Sequence, residues 1–315
     1  MAYAIGTITN SGGVSCHKQM LGIIESLALA NGWVTLRKLT TGNNHELILK
    51  GSGLSGNEEI FVGFQTYESV TADYYNINLM TSVGYVPENA FNNQPGAQYY
   101  ALAAHNNAIT YYLVCNAQRI AMCLKIGTPV YHHAYVGKYF PYARPGELPL
   151  PLMCAGMFNY NAATRFDKDA SFPYFGSNAA FSRIRDQTGA WVFTYNHPYS
   201  QGNSLTTGLA GTQGQSTLVP ASNYYQVEPI ILVDNVSNVL NKNVWGELDG
   251  IKFCSGFSNA TENVIQNGGT SEVDQTGKTP SQAVSAIEAV GGVASVMLQS
   301  NRANSWRDFI AMEME

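Results

Sequence analysis

Apolar and polar positions alternate in short runs along most of the chain, and one early stretch follows a helical period instead. In Ser15-Cys-His-Lys-Gln-Met-Leu-Gly-Ile-Ile-Glu-Ser-Leu-Ala-Leu-Ala-Asn-Gly32, the residues Met20, Ile24, Leu27 and Asn31 recur at spacings of three and four. That spacing places them on one helical face. Ser15 is a candidate N-cap, and Asn31-Gly32 supplies a left-handed stop. Three β-prone runs follow, at residues 33–39, 45–50 and 59–67, separated by the turn clusters Thr41-Gly-Asn-Asn44 and Gly51-Ser-Gly-Leu-Ser-Gly-Asn57. Another run covers residues 74–85. Residues 109–115 and 119–126, joined by the polar turn Asn116-Ala-Gln118, carry the strongest hairpin signal.

Further strands are predicted at 190–196 and 227–234, and the stretch from Gly292 onward reads as two strands flanking a polar turn. The block 243–257, with Gly246, Gly250 and Gly256, reads as turn-rich. Between Tyr139 and Pro151, four prolines within eleven residues exclude a helix or a central strand, so an extended arm or linker is expected. Residues 201–215 and 259–279 have no periodicity and read as loops. The expected fold class is α+β and mainly β. An N-terminal helix packs on an antiparallel sheet over residues 1–143, followed by a second β-rich part over 144–315 that begins with the proline-rich arm.

Composition narrows the function classes. Formal charges make up 12% of the 315 residues against about 25% in an ordinary domain, with a net charge of −5. That removes the electrostatic term nucleic-acid binders depend on, so no nucleic-acid partner is expected. The chain carries 30 glycines and 19 tyrosines, and twelve of those tyrosines lie between Tyr67 and Tyr142. Phenol rings on β-strands suit sheet faces covered by another chain; they also suit simple packing within a sheet, and sugar binding. No apolar run reaches the roughly 18–20 residues of a membrane span, and the first residues lack the basic and apolar regions of a secretory signal. The five cysteines, Cys16, Cys115, Cys123, Cys154 and Cys254, have no CxxC pair and read as buried reduced thiols of a cytoplasmic product. A Cys115–Cys123 bridge is the alternative if their strands pair.

Candidate chemistry is sparse. His132-His133 is the closest histidine pair, but adjacent strand residues point to opposite faces, so two rings on one metal ion are not expected. Glu247 and Asp249 have the alternate spacing that puts two carboxylates on one strand face, as acid–base hydrolysis uses. Their flanking glycines favour a turn whose carboxylates cap backbone amides. Asp167 and Asp169, interleaved with Arg165 and Lys168, suggest a solvated loop. Ser52-Gly-Leu-Ser-Gly56 is a glycine-rich turn between strands and lacks the strand-to-helix context of a nucleophile elbow. The sequons at Asn235 and Asn259 matter only in a secreted eukaryotic chain. No catalytic, cofactor-binding or metal-ligating residue is assigned.

The order of the motifs carries a resemblance. Asn31-Gly32-Trp33, Glu46-Leu-Ile-Leu-Lys-Gly51, Glu59-Ile-Phe-Val-Gly-Phe-Gln-Thr-Tyr67, Asp73-Tyr-Tyr-Asn76, Gly84-Tyr-Val-Pro87 and Gln94-Pro-Gly96 come first. Ile109-Thr-Tyr-Tyr112, Arg119-Ile120, Tyr135-Val-Gly-Lys-Tyr-Phe-Pro-Tyr142, Pro149-Leu-Pro-Leu152, Gly246-Glu-Leu-Asp-Gly250, Ser255-Gly256 and Asn301-Arg302 follow. In this order they resemble a family of structural proteins from tailed bacteriophages, over most of the chain and least at 157–225 and 258–290. Where that family closes on a strongly apolar, aromatic stretch, this chain has Ala294-Ser-Val-Met-Leu-Gln299.

The resemblance implies a non-enzymatic virion component of the tail, baseplate or neck, made in the host bacterial cytoplasm and packed against copies of itself and other virion proteins. It transfers no catalytic residue. The alternative expectation is a module at the tail tip that binds a host receptor or surface glycan, since exposed Tyr and Trp with Asn and Asp also make sugar faces. A third is a polysaccharide hydrolase resting on Glu247 and Asp249.

Overall fold

In a computed structural model, residues 2–10, 12–127, 130–144, 146–161, 173–174, 181–198, 226–234, 244–255, 287–290, 293–299 and 309–314 are described. They form one helix and two antiparallel sheets. Strands β2 (Val34–Leu39), β3 (Glu46–Gly51), β4 (Ile60–Ser69), β5 (Tyr74–Ser82) and β6 (Gln98–Ala103) make a five-stranded meander in chain order. The larger sheet has thirteen strands. It starts at β1 (Tyr3–Thr9) and continues through β7 (Ala108–Cys115), β8 (Arg119–Gly127) and β9 (Val130–Lys138). It then passes β11 (Leu152–Ala155), β12 (Ser182–Arg185), β13 (Trp191–Pro198), β14 (Gln226–Asp234) and β15 (Val244–Ser255). It ends on β18 (Phe309–Glu313), β17 (Val293–Gln299) and β16 (Ile287–Val290), while β10 (Phe140–Pro141) pairs β15 from the side. The fold class is therefore α+β and mainly β, as the periodicity predicts.

Helix α1 (Cys16–Ala30) buries Met20, Ile24 and Leu27, three of the four residues its spacing puts on one face, together with Leu21; Asn31 is half-buried at the C-cap. Gly32 takes φ +84°, the left-handed conformation that ends a helix at little cost. Ser15 is extended at the N-cap, but its hydroxyl makes no capping bond. The first helical amides turn instead to backbone carbonyls: Cys16 N donates to Asn106 O and His17 N to His105 O.

Alternation along β7, β8 and β9 explains how the layers stack. Ile109, Leu113, Ile120, Met122, Leu124, Ala134 and Val136 face a first core shared with α1 and the five-stranded sheet. Their neighbours Tyr112, Val114, Ala121, Cys123, Tyr131 and Tyr135 face a second core. That second core is closed by Ile230 and Leu232 of β14, Leu248 and Ile251 of β15, and Ile310 and Met312 of β18. The large sheet thus folds back on itself, and β8 and β9 are buried on both sides, while β1 at its edge keeps one face exposed. Strands buried on both sides read as continuous runs instead of alternating ones, which is why β9 and β11 carry no clear strand signal; the sequence expectations do not include β1, β6 or β12 either.

Two expectations are corrected. The turn-rich block at 243–257 is, over its described residues, the twelve-residue strand β15. Its glycines serve close backbone approach: Gly246 lies against the backbone of Phe140 and Pro141, and Gly250 adopts φ +67°. The run expected at 74–85 ends at Ser82, where Val83 N turns to Pro95 O. After the proline-rich arm, β11 pairs β9 from Leu152↔Lys138 to Ala155↔Tyr135. The loops expected at 201–215 and 259–279 lie outside the described residues.

Candidate functional site

Glu247 and Asp249, the carboxylate pair singled out in the sequence, have separate partners. Asp249 is buried, and its Oδ2 accepts hydrogen bonds from Asn116 Nδ2 (2.8 Å) and Gln118 Nε2 (2.8 Å). The guanidinium Nε of buried Arg119 lies 3.4 Å from the same oxygen. One carboxylate therefore gathers the whole β7–β8 turn onto β15, a structural task that leaves it no free lone pair at Oδ2 for proton transfer. Gly250 belongs to this cluster: a Cβ there would collide with Arg119 Nη2. In place of the expected backbone caps, the Asp249 carboxylate takes side-chain amides. Sequence reasoning saw Asn116-Ala-Gln118 only as a turn; the signal it left unused is three amide and guanidinium donors in four residues.

His132 and His133 occupy opposite cores, as adjacent strand positions require. His132 Nδ1 accepts the Ala103 amide at 3.1 Å and joins β9 to β6, while its ring lies 5.3 Å from that of Phe158. His133 faces the second core, edge-on to Tyr174, with Nε2 3.6 Å from Cys123 Sγ. Among the described residues no group of three or more His, Cys, Asp or Glu is placed to hold a metal ion. Cys16, Cys115, Cys123 and Cys154 are free thiols. Cys115 stands opposite Ile120 and Cys123 opposite Tyr112, on different faces of the sheet, so the alternative bridge between them is excluded. Burial pushes the thiols of Cys115 and Cys154 up to about 12, which keeps them protonated and unreactive.

A third polar group sits where α1 meets the end of β4. His17 is buried edge-on to Tyr75, 5.3 Å between ring centroids. Burial first, then the nearby charges of Lys18 and His45, lower its imidazole to about 3. Glu68 Oε2 lies 3.3 Å from His17 Nε2 and by itself favours the charged ring, but its other oxygen accepts Lys18 Nζ at 2.8 Å. The ion pair satisfies the carboxylate, and desolvation prevails at the histidine.

The surface chemistry lies elsewhere. Half of the tyrosines in the tyrosine-rich segment go inside: Tyr75, Tyr100, Tyr112, Tyr131, Tyr135 and Tyr139 are buried, and Tyr67, Tyr74, Tyr85, Tyr99 and Tyr111 are half-buried. For the six buried rings, packing within the fold is the outcome among the alternatives that the composition left open. Tyr142 is the most exposed tyrosine of the segment at 56%, two residues along the arm from Phe140 at 38%. Phe140 and Pro141 pair with Glu247 and Gly246, and Tyr142 N donates to Trp245 O at 3.0 Å. The proline-rich arm is thereby fixed on β15 and presents an apolar patch on hydrogen-bonded backbone. Tyr142 Oη donates to Glu247 Oε2 at 3.1 Å, which puts a carboxylate at the patch rim.

Ser52 to Gly56 forms the turn between β3 and β4, as expected, with Gly53 and Gly56 at positive φ. Asp167, Asp169, Asn235 and Asn259 lie outside the described residues. Among the described residues no helix is long and apolar enough to cross a membrane. Compared with known proteins, the chain matches no family model and no curated sequence.

Proposed function

We propose that this chain is a non-enzymatic structural subunit of a tailed-bacteriophage particle, in the tail, baseplate or neck. It acts by packing against copies of itself and other virion proteins after synthesis in the host cytoplasm. The observation that carries this reading is the exposed pair Phe140 and Tyr142 on an arm fixed to β15. Aromatic, charge-poor patches on rigid backbone are the composition of subunit interface cores, and the low formal charge of the whole chain supports it. The motif order points to the same class of particle. The test is mass spectrometry of purified particles together with a density map of the intact virion. The expected result is several copies per particle with the Phe140–Tyr142 arm covered by a neighbour. Absence from purified particles, or an arm facing bulk solvent in every copy, overturns the proposal.

One observation favours a second reading, a host-glycan-binding module. Tyr142 is an exposed ring hydrogen-bonded to an acidic side chain, Glu247, and a ring face beside a carboxylate acceptor can stack on and bond a sugar. Soluble protein that blocks adsorption of phage to cells, with the block lost in Tyr142→Ala, supports it. Unchanged adsorption with excess protein rules it out.

A further inference from the structure

We infer that β1 is a pairing edge for a second copy of this chain, joined antiparallel through its own β1 about a two-fold axis at Ile5. The inference rests on the assembly reading and names the surface it would use.

Hydrogen-bond parity defines the edge. Cys115 N donates to Ala2 O and Asn10 N to Asn107 O, so the even-numbered residues of this segment turn their amides and carbonyls toward β7. The odd-numbered residues turn theirs outward. Thr9 O is taken by Gln19 Nε2 at 3.1 Å. Among the described residues, the amides and carbonyls of Tyr3, Ile5 and Thr7 are left along the edge, where β1 is the terminal strand of the large sheet. In the proposed register Ile5 faces Ile5 of the second copy, and Tyr3 and Thr7 face each other's counterparts. These are three hydrogen-bonded pairs, and each exchanges two bonds. All six outward groups are then satisfied. A shift of two residues either way would bring Thr9, already engaged, into the ladder or leave an end of the edge unpaired.

Side chains and charge fit the same occupant. Tyr3–Thr9 contains no charged residue and no proline, so nothing in it discourages edge pairing. The edge strand β2 of the smaller sheet differs, with Arg37, Lys38 and a register irregularity between Thr35 and Arg37. A two-fold axis opposes each residue to its own copy or to a near neighbour. Only an uncharged strip avoids like-charge contacts there, which matters for a chain with a net charge of −5. Ile5, 39% exposed, meets its copy on one face of the joined sheet. On the other face a groove of about 530 Å³ runs between β1 and α1. Ala4, Ile8, Gln19, Ile23, Ser26 and Leu27 are among its lining residues, and no charged side chain lines it, so the partner's strand meets neutral, mostly apolar side chains.

The test is the mass of the purified full chain by light scattering and sedimentation. The wild type is expected at twice the 34.2 kDa of one chain. Ile5→Lys and Ile5→Glu, each placing like charges at the axis, are expected to be monomeric with unchanged circular dichroism; a one-to-one mixture of the two is expected to recover the dimer. Recovery requires both variants to be folded, so it excludes misfolding as the cause. Thr7→Pro, whose lost amide points outward, is expected to weaken the dimer at least about tenfold in dissociation constant. A wild type that is monomeric at all concentrations, a dimer indifferent to these variants, or a mixture that stays monomeric overturns the edge assignment. A responsive dimer that is absent from purified particles leaves the edge in place and defeats the assembly reading instead.

Discussion

Strands β7, β8 and β9 send alternate residues into two interiors, and the two are made of different material. The first core, between the sheets and under α1, is dominated by Met, Leu, Ile and Val, with Phe64 and Trp33. The second core, inside the fold-back of the large sheet, holds Tyr112, Tyr131, Tyr135, Tyr139 and Tyr174 around an Asp249–Arg119 group close by. The first can be closed by transfer free energy alone. The second must also place hydroxyls: Tyr135 Oη donates to Lys138 O at 2.5 Å and Tyr174 Oη to Ala134 O at 2.8 Å. Polar groups cost more than they return when unpaired, so the second core depends on a specific arrangement where the first depends chiefly on volume.

The largest test of that contrast is Asp249→Ala, which leaves Arg119 buried without its counter-charge and frees two amides; it should cost about 3–5 kcal/mol in urea unfolding. Leu124→Ala in the first core removes volume without stranding any polar group, and is expected to cost about 3 kcal/mol. A result with Leu124→Ala much the costlier would erase the distinction.

Acid acts on the margin of the first core through His17. Its folded pKa is lowered to about 3 from 6.5, so below pH 6.5 the unfolded chain binds a proton that the folded chain does not. Stability is complete above that value and falls as pH drops toward 3. Going from pH 7 to 5.5 should cost about 1 kcal/mol, a loss His17→Gln should flatten in a pH series of unfolding curves. Tyr135→Phe keeps the ring and deletes the hydroxyl, for a loss of about 1 kcal/mol. Ser15→Ala, at a cap position with no side-chain bond, should change the melting free energy by less than about 0.5 kcal/mol.

Local signals were legible where a helical face meets solvent or a turn has required chemistry, though the alternating edge strand β1 gave none. The α1 face, its Asn31-Gly32 stop and the 109–115/119–126 hairpin all follow from spacing and turn residues. Strands buried on both faces lack that contrast, and β9 was seen only through its histidines. The candidate site was less legible. Glu247 and Asp249 were found, but the partners of Asp249 lie more than 130 positions away, at Asn116 and Gln118. Nothing in either local stretch announces the pairing.

The chain's own order of residues determined its class: β-rich, charge-poor, one amphipathic helix, thiols rather than bridges. Those properties are set by neighbours three or four positions apart and by totals. Tertiary structure alone decided which tyrosines are interior, which carboxylate is consumed and which strand edge is left open. The fold-back of one sheet brings β15 against β8 and β10, and a long-range approach of that kind has no local periodicity to record it.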